Sequence, residues 1–294
     1  MARFGNTGWL CCPHCFDKLQ MQPGLGRTLG CAAGHTFDVA REGYVNLLPP
    51  SGRAGAVHGD AEEMVNARRA FLQQGFYAPL VVAVGEMVAG VLPVDRTAVL
   101  LDAGCGEGHL LQSLCRSIRA GGHEIHAGGF DLSKPAVRRA ARLMPDTTMF
   151  VANIRRPWPV LMASVDVVLN IFAPRNPAEF RRVVRRGGHL VVIIPAMDHL
   201  NELRTLVPLL PVSPDKEETL HASLDGFALA ARREVDFGMS LPGPVADGLL
   251  AMTPNAWAVP SDARQQLRNR PLIETRAAFI ALLFQRGASG LENS

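Results

Sequence analysis

The chain has 294 residues, a formal net charge of +3 and 48% hydrophobic residues. This length and composition predict one large domain with a sizeable core and one small domain. The sequence has no apolar run long enough to span a bilayer, and its first residues lack the apolar core of a signal peptide. We therefore expect a cytoplasmic protein without a membrane partner. The small net charge neither requires nor excludes a nucleic acid partner.

Cysteine and histidine residues in the first part of the chain have the spacing of a metal site. They form a C-x2-C pair and a C-x3-H pair separated by fifteen residues, and the candidate ligands are Cys12, Cys15, Cys31 and His35. Two such short segments can bring four donors to the corners of a tetrahedron, which is the geometry that Zn²⁺ prefers. Because protein fills all four positions, we predict a structural zinc ion. Two alternatives stay open: Cys11 in place of Cys12, and His14 as a competing ligand.

The sequence predicts a division into three parts. Residues 1–48 form a zinc-binding ribbon, since a segment of this size buries too little apolar surface to fold unaided and a bound metal would hold its shape. Residues 49–60 contain several glycines and prolines and are the expected linker. Residues 61–294 then form the larger domain.

Two helices are expected between the linker and the first strand of the larger domain. Asp60 is a favoured N-cap for a helix that ends at Gly75, and a second helix covers about 80–92. Because both helices directly precede the glycine-rich segment described next, they can fold over a ligand bound there. Tyr77, at the exit of the first helix, would then reach that ligand; ordinary core packing is the alternative.

The segment 99–108 reads Val-Leu-Leu-Asp-Ala-Gly-Cys-Gly-Glu-Gly. An apolar run that ends in an acid and continues into alternating glycines predicts a buried strand, a tight turn whose backbone can closely approach a ligand, and a helix behind it. One strand later, Asp131 ends a second apolar run and could bind both hydroxyls of a ribose. This order resembles the S-adenosylmethionine (SAM) site of Rossmann-like methyltransferases, whereas the dinucleotide pattern Gly-x-Gly-x-x-Gly is absent. The candidate cofactor-binding residues are Asp102, Gly104, Gly106 and Asp131.

Three further strands complete the predicted parallel sheet. The strand at 147–152 ends at Asn153, which could read the adenine amino group or simply form a turn. The carboxyl end of the next strand, 165–171, should face the methyl group, because open α/β sheets bind ligands outside those ends. After the fifth strand, 189–194, His199 lies in a loop at the ligand-facing edge, where it is either a site residue or an ordinary solvated one.

Two later segments, 224–237 and 276–285, have strand character and are expected to form the antiparallel pair that closes such sheets. The predicted fold class is therefore α/β. It is a Rossmann-like class I SAM-dependent methyltransferase with a mostly parallel seven-stranded sheet, preceded by a small N-terminal zinc-ribbon domain.

With both parts placed, nearly the whole chain resembles the 23S rRNA guanine-N1 methyltransferases of the RlmA type. This family includes a housekeeping bacterial enzyme and the tylosin- and mycinamicin-resistance enzymes of actinomycetes. The resemblance is carried by the Cys12, Cys15, Cys31 and His35 ribbon and by the segments 37–49, 67–72, 102–108, 172–174 and 252–257.

The resemblance implies SAM and structural zinc as cofactors and N1-methylation of one guanine in a 23S rRNA hairpin. It also implies a homodimer, a ribbon that helps to recognise the RNA, and resistance to tylosin- or mycinamicin-type macrolides. It assigns cofactor contacts to Tyr77, Gly106, Glu107 and His199. The alternative function is a small-molecule SAM-dependent methyltransferase of natural-product biosynthesis in which the ribbon is merely structural.

Two positions depart from the housekeeping relative, in which we expect Arg at Asn170 and Tyr at Phe172. Both lie near the presumed target base, so the catalytic residues stay unassigned. RNA would be held by arginines on its phosphates. The candidate contacts are Arg68, Arg69, Arg155 and Arg156, although a solvated surface is the alternative for each of them.

Overall fold

A computed structural model of the chain describes residues 4–24, 26–49, 62–253 and 259–287. The predicted linker, apart from its first residue, lies outside these ranges, and so does the helix N-cap predicted at Asp60. Residues 254–257 of the last segment that carries the resemblance are also outside them. No helix in the described ranges is long and apolar enough to cross a membrane.

The N-terminal part of the chain forms a small antiparallel sheet. Its three strands pair in chain order and are β1 (Gln20–Met21), β2 (Thr28–Gly30) and β3 (Thr36–Asp38). Strands this short cannot build a core of their own, and their buried leucines, Leu19 and Leu29, pack into the larger core beneath them.

An eight-stranded sheet forms the centre of the molecule, in the order β10-β11-β9-β8-β5-β6-β7-β4. Its strands are β4 (Tyr44–Asn46), β5 (Ala98–Ala103), β6 (Ile125–Asp131), β7 (Thr148–Val151), β8 (Val165–Ile171), β9 (Val184–Pro195), β10 (Phe227–Leu241) and β11 (Ile273–Arg286). The neighbours from β9 to β4 pair in parallel, and β11 runs antiparallel to both β9 and β10. The predicted class I fold and its closing antiparallel pair are confirmed.

Helices cover both faces of this sheet. They are α1 (Glu62–Leu72), α2 (Ala78–Ala89), α3 (His109–Ala120), α4 (Lys134–Leu143), α5 (Pro177–Val183), α6 (Asn201–Arg204), α7 (Lys216–Ser223), α8 (Gly243–Ala251) and α9 (Ser261–Arg268). The buried residues of α1 to α4 and α8 belong to the core on one face. The ribbon, α5 and α7 bury theirs on the other face. The two helices predicted before β5 are present as α1 and α2.

The sheet has one strand more than predicted, because the end of the ribbon adds to it. β4 pairs in parallel with β7, with Tyr44 opposite Met149. This strand lies inside the segment 1–48 that the sequence assigns to the ribbon. The boundary predicted after residue 48 therefore follows a strand that belongs to the large sheet, and the division into domains stays a prediction.

The ribbon is also fixed to the sheet by the indole of Trp9. This side chain is 2% exposed, and its ring lies against the backbone of Gly128 in β6. A Cβ atom at position 128 would come within 2.4 Å of two ring carbons of Trp9. The backbone of Leu10 in turn bridges to Val160. The absence of a side chain at position 128 is thus what lets the ribbon sit directly on the sheet.

We expect Gly128→Ala to lower the free energy of unfolding by about 1–3 kcal/mol, because the added methyl group overpacks the contact with Trp9. Chemical denaturation followed by tryptophan fluorescence measures this loss. Gly238→Ala in β10 is the matched control, since no atom lies within 4 Å of its added Cβ. We expect the control to be at least as stable as the parent protein. Equal stability of the two variants would contradict the role of this contact.

Candidate functional site

The four predicted zinc ligands come together in the ribbon. Their ligand atoms all lie within 4.8 Å of one another. The sulfurs of Cys15 and Cys31 are 3.6 Å apart, and the Nδ1 atom of His35 is 3.4 Å from the Cys31 sulfur. A tetrahedral site with Zn–S bonds of about 2.3 Å has edges of about 3.5–3.8 Å. The cluster therefore has the size and the donors of a zinc site, and its four protein donors make that site structural.

The structure separates the two alternative ligands from this cluster. The Cys11 side chain is buried and points at the carbonyl oxygen of Trp158, 4.0 Å away. Burial raises the pKa of this thiol to about 12, so it stays protonated. The His14 ring stacks on Phe37, with the ring centroids 6.0 Å apart, while its backbone N–H donates to the Cys12 sulfur at 3.4 Å. Neither side chain belongs to the group of four.

We expect Cys12→Ser to lose the zinc ion, whereas Cys11→Ala keeps it. The two cysteines are adjacent in the chain, but the sulfur of Cys12 alone belongs to the cluster of donors. Metal content per chain, measured by mass spectrometry on protein purified without chelators, separates the variants. Loss of zinc from the Cys11 variant together with retention in the Cys12 variant would reverse the assignment.

The glycine-rich turn follows β5, as predicted, and its glycines are required by its geometry. Gly104, Gly106 and Gly108 have φ values of 89°, 55° and 84°. A Cβ at position 104 would lie 2.5 Å from the Cβ of Ala173, in the segment after β8. The turn therefore packs closely against that segment, and its three positive φ values are ones that glycine adopts without strain.

Buried carboxylates surround this turn. Asp102 and Glu107 are each 3% exposed, and each has one fully buried carboxylate oxygen without a hydrogen-bond partner. Burial, followed by repulsion from Asp131, raises the pKa of Asp102 to about 7. Burial also raises the pKa of Glu107, although Arg68 and Arg69 oppose the shift. Uncompensated buried carboxylates are costly, and a cation bound beside them removes that cost. SAM carries a sulfonium and an ammonium group, so these residues fit it.

Both oxygens of Asp131 contact the backbone around the turn. Oδ2 accepts the N–H of Gly106 at 3.0 Å, and Oδ1 accepts the N–H of Ser133 at 2.8 Å, at the start of α4. Each carboxylate oxygen can accept a second hydrogen bond. The predicted contact with the ribose hydroxyls is compatible with this arrangement and stays a prediction.

Asn153 forms a turn after β7, which was the alternative to an adenine contact. Its side-chain oxygen accepts the N–H of Arg155 at 2.9 Å. The contact with adenine stays a prediction. Arg155 and Arg156, in the same turn, are exposed.

Helix α1 reaches the glycine-rich turn through the side chain of Arg68, and the predicted folding of the first two helices over a bound ligand stays a prediction. The Nη1 atom of Arg68 is 3.4 Å from where a Cβ of Gly106 would stand, and its Nη2 atom donates to the carbonyl oxygen of Met252 at 3.2 Å. Arg68 is therefore engaged beside the turn, and its predicted role as an RNA contact is untested.

Tyr77 and His199 meet in one aromatic cluster at the carboxyl ends of β8 and β9. The Tyr77 ring is edge-on to Phe279 at 5.3 Å and to Phe172 at 6.2 Å between centroids. The His199 ring lies 4.6 Å from that of Phe279, and its Nδ1 accepts the N–H of Ala278 at 3.2 Å. Their predicted contacts with the cofactor stay predictions.

His199 is a neutral imidazole with a fixed tautomer. Burial, reinforced by the charge of Arg204, lowers the pKa of its ring to about 4. Because Nδ1 accepts a hydrogen bond, the single proton of the neutral ring is on Nε2. At neutral pH the His199 ring is therefore uncharged and carries its one N–H on Nε2.

The segment after β8 is rigid and presents an exposed ring. Phe172 has a φ of 56° and is 46% exposed. The amide of Asn170 donates to the carbonyl oxygens of Ala103 at 3.4 Å and of Pro174 at 3.0 Å. The sequence placed Asn170 and Phe172 near the target base but gave no sign of this clamp, because it joins two strands that are far apart in the chain.

We expect SAM to bind more tightly as the pH rises through about 7. The carboxyl of Asp102, with a pKa near 7, is protonated below that pH in the free protein, and a bound cation favours its charged form. Binding then releases a proton, and the gain in affinity levels off once Asp102 is ionised. Calorimetry between pH 6 and 8, in buffers of different ionisation enthalpy, measures both effects. Asp102→Asn should bind more weakly and lose this proton release; an unchanged release would contradict the assignment.

Comparisons with known proteins agree with this description of the site. A family model for the zinc ribbon described as RlmA, N-terminal, matches residues 10–53, and a methyltransferase domain model matches residues 100–188. Among solved structures, loganic acid methyltransferase with SAH superposes with a TM-score of 0.51 at 12% identity, covering 81% of this chain and 100% of that one. This likeness shows the fold alone.

Two curated relatives match along most of their length. The 23S rRNA (guanine(748)-N(1))-methyltransferase of Streptomyces fradiae is 37% identical over 85% of this chain and 86% of its own. A putative 23S rRNA (guanine-N(1)-)-methyltransferase of Micromonospora griseorubida is 37% identical over 92% of this chain and 95% of its own. The protein is thus a SAM-dependent methyltransferase with a structural zinc ribbon, and it belongs to the 23S rRNA (guanine-N1)-methyltransferase family.

Proposed function

We propose that this enzyme methylates N1 of one guanine in a hairpin of 23S rRNA, and that the modification confers resistance to tylosin- and mycinamicin-type macrolides. The observation that carries the proposal is the similarity to two rRNA methyltransferases over both the ribbon and the methyltransferase site. The homodimer and the cytoplasmic location implied by the sequence are part of the same proposal.

SAM, when bound, supplies a methyl group that its positively charged sulfur activates for attack. The residues of this chain bind and orient the reactants around it. Asp102 and Glu107 offer buried negative charge to the cofactor, and the bare backbone at Gly106 allows a close approach. The partly exposed ring of Phe172 follows the carboxyl end of the central strand β8, and ligands of open α/β sheets bind outside such ends.

Guanine N1 lies on the Watson–Crick edge and carries a proton at neutral pH. The base must therefore be unpaired or turned out of its stack to reach the site. The N1 proton has to leave, and neither polar member of the aromatic cluster can take it. Burial raises the pKa of the Tyr77 hydroxyl, which stays protonated, and His199 keeps its proton on Nε2. We infer that the proton passes to water and that positioning supplies most of the rate enhancement.

The test is transfer of a labelled methyl group from SAM to unmodified bacterial 23S rRNA. We expect one reverse-transcription stop in a hairpin loop and 1-methylguanosine in the nucleoside digest. Gly104→Val is the inactive control, because its side chain collides with Ala173 in the glycine-rich turn. Label in small-molecule acceptors and none in RNA would favour the alternative, a methyltransferase of natural-product biosynthesis.

The resistance role is tested separately by expressing the enzyme and the Gly104→Val control at equal soluble levels in a macrolide-sensitive host. The active enzyme should raise the inhibitory concentration of tylosin, and the control should not. Full methylation without any change in tolerance would remove the resistance role and leave the reaction intact.

A further inference from the structure

Arg175 is a half-buried cation in the segment after β8, and it forms no ion pair among the described residues. It follows Phe172 by three residues, so their Cα atoms are at most about 10 Å apart. Its Nε atom is buried and has no hydrogen-bond partner. Within the described ranges no carboxylate forms an ion pair with it. Burial lowers the pKa of its guanidinium, which is the mark of a charge held away from water without compensation.

The backbone on both sides of Arg175 is fixed. The carbonyl oxygen of Pro174 accepts the amide of Asn170 at 3.0 Å. The amide of Asn176 donates to the carbonyl oxygen of Ile154 at 2.9 Å, and its side-chain oxygen caps α5. The guanidinium of Arg175 is therefore attached to a backbone segment that is held in place by hydrogen bonds on both sides.

A second cation, Lys216, lies close to Arg175. Burial, and then the charge of Arg175, lower the pKa of the Lys216 ammonium group. The charge of Lys216 also makes a small contribution to the lowered pKa of His199. Of the acids next to Lys216 in the chain, Glu217 is paired with Arg232 at 2.9 Å, and Asp215 forms no ion pair with Lys216. Within the part of the chain that the structure describes, neither Arg175 nor Lys216 therefore has an acidic partner.

Other arginines in the same region are used internally. Arg182 pairs with Glu179, Arg185 with Asp166 and Arg181 with Asp225. Arg175 and Lys216 are half-buried, as Arg182 and Arg185 are, but they differ in having no ion pair among the described residues. Two uncompensated cations at a rigid position make a binding site for an anion, and a guanidinium suits phosphate oxygens in particular.

We propose that Arg175 and Lys216 bind the backbone phosphate of the nucleotide that is methylated, while Phe172 stacks on its base. The inference rests on the proposed function, because it takes an RNA nucleotide as the acceptor. Stacking on an exposed aromatic ring and a cationic contact to the adjacent phosphate are the two interactions that hold an unpaired base. Phe172 is 46% exposed and its backbone is held at a positive φ directly after β8, so part of its ring is available for stacking.

The test uses the full-length protein and a hairpin RNA containing the guanine mapped by methyl transfer. A second RNA carries an abasic nucleotide at that position. Arg175→Ala and Lys216→Ala should weaken binding of both RNAs about tenfold, and each should reduce the slope of log K against log salt by about 0.7. Phe172→Ala should weaken binding of the guanine RNA about 5- to 100-fold and leave the abasic RNA nearly unchanged.

Three controls accompany these variants. Arg116→Ala removes an exposed arginine in α3 and should leave the RNA affinity and the salt slope as they are. Arg175→Lys should recover part of the affinity, because it restores the charge without the planar fork. SAM affinity, measured by calorimetry, should be the same in every variant, which shows that each one is folded.

The outcomes separate the two levels of the proposal. An enzyme that methylates no RNA removes the proposed function and this inference together. The proposed function stands and the phosphate site alone is overturned if the enzyme methylates the RNA but the two cation variants bind it normally. In that case Arg175→Ala and Lys216→Ala would show the same RNA affinity and the same salt dependence of binding as Arg116→Ala. Equal losses by Phe172→Ala on both RNAs overturn the stacking role.

Discussion

The arrangement of the site depends on the burial of three carboxylates around one glycine-rich turn. The carboxylate of Asp131 is stabilised by hydrogen bonds from two backbone N–H groups. The carboxylates of Asp102 and Glu107 are less well satisfied, since each has one buried oxygen without a hydrogen-bond donor. A folded protein tolerates such groups where a ligand completes them, and a bound cation does so for carboxylates. The site is therefore suited to the positively charged methyl donor SAM.

The charge at the inferred phosphate site is of the opposite sign. Arg175 and Lys216 form no ion pair among the described residues, whereas Asp102 and Glu107 each keep a buried oxygen without a donor. A cationic cofactor and a polyanionic acceptor would therefore be attracted to different residues of the site.

Two sets of interactions stabilise the ribbon: the zinc site within it and its contacts with the large sheet. The metal fixes the two ends of the small sheet to each other, whereas Trp9 on Gly128 and the pairing of β4 with β7 fix the ribbon to the large sheet. A ribbon held by both sets of contacts cannot swing freely relative to the site. RNA bound to the ribbon would therefore be presented to the carboxyl edge in a defined position, which a flexible tether would not provide.

The features that could be predicted from the sequence are those encoded by neighbours in the chain. The C-x2-C and C-x3-H pairs, the turn after β5 and the acid after β6 are local patterns, because metal spacing and positive φ restrict residues close to one another. The spacing could not choose between Cys11 and Cys12, since that choice depends on which side chain faces the core against Trp158. The extra strand β4 was missed for the same reason: three residues carry no usable alternation, and its partner β7 lies far along the chain.

The residues proposed to bind the acceptor show most clearly what sequence analysis does not identify. Arg175 and Lys216 are ordinary residues in sequence, and their role is inferred from the folded chain, in which the described residues provide neither with an ion pair. A sequence pattern identifies residues at a given spacing. It does not show whether a cation has an acidic partner in the folded protein. Because substrate specificity in this fold is set by loops at the carboxyl edge, the residues that recognise the acceptor are those that sequence alone identifies least well. Phe172 and Arg175 belong to such a loop, and Asn170 holds it in place through two backbone carbonyls.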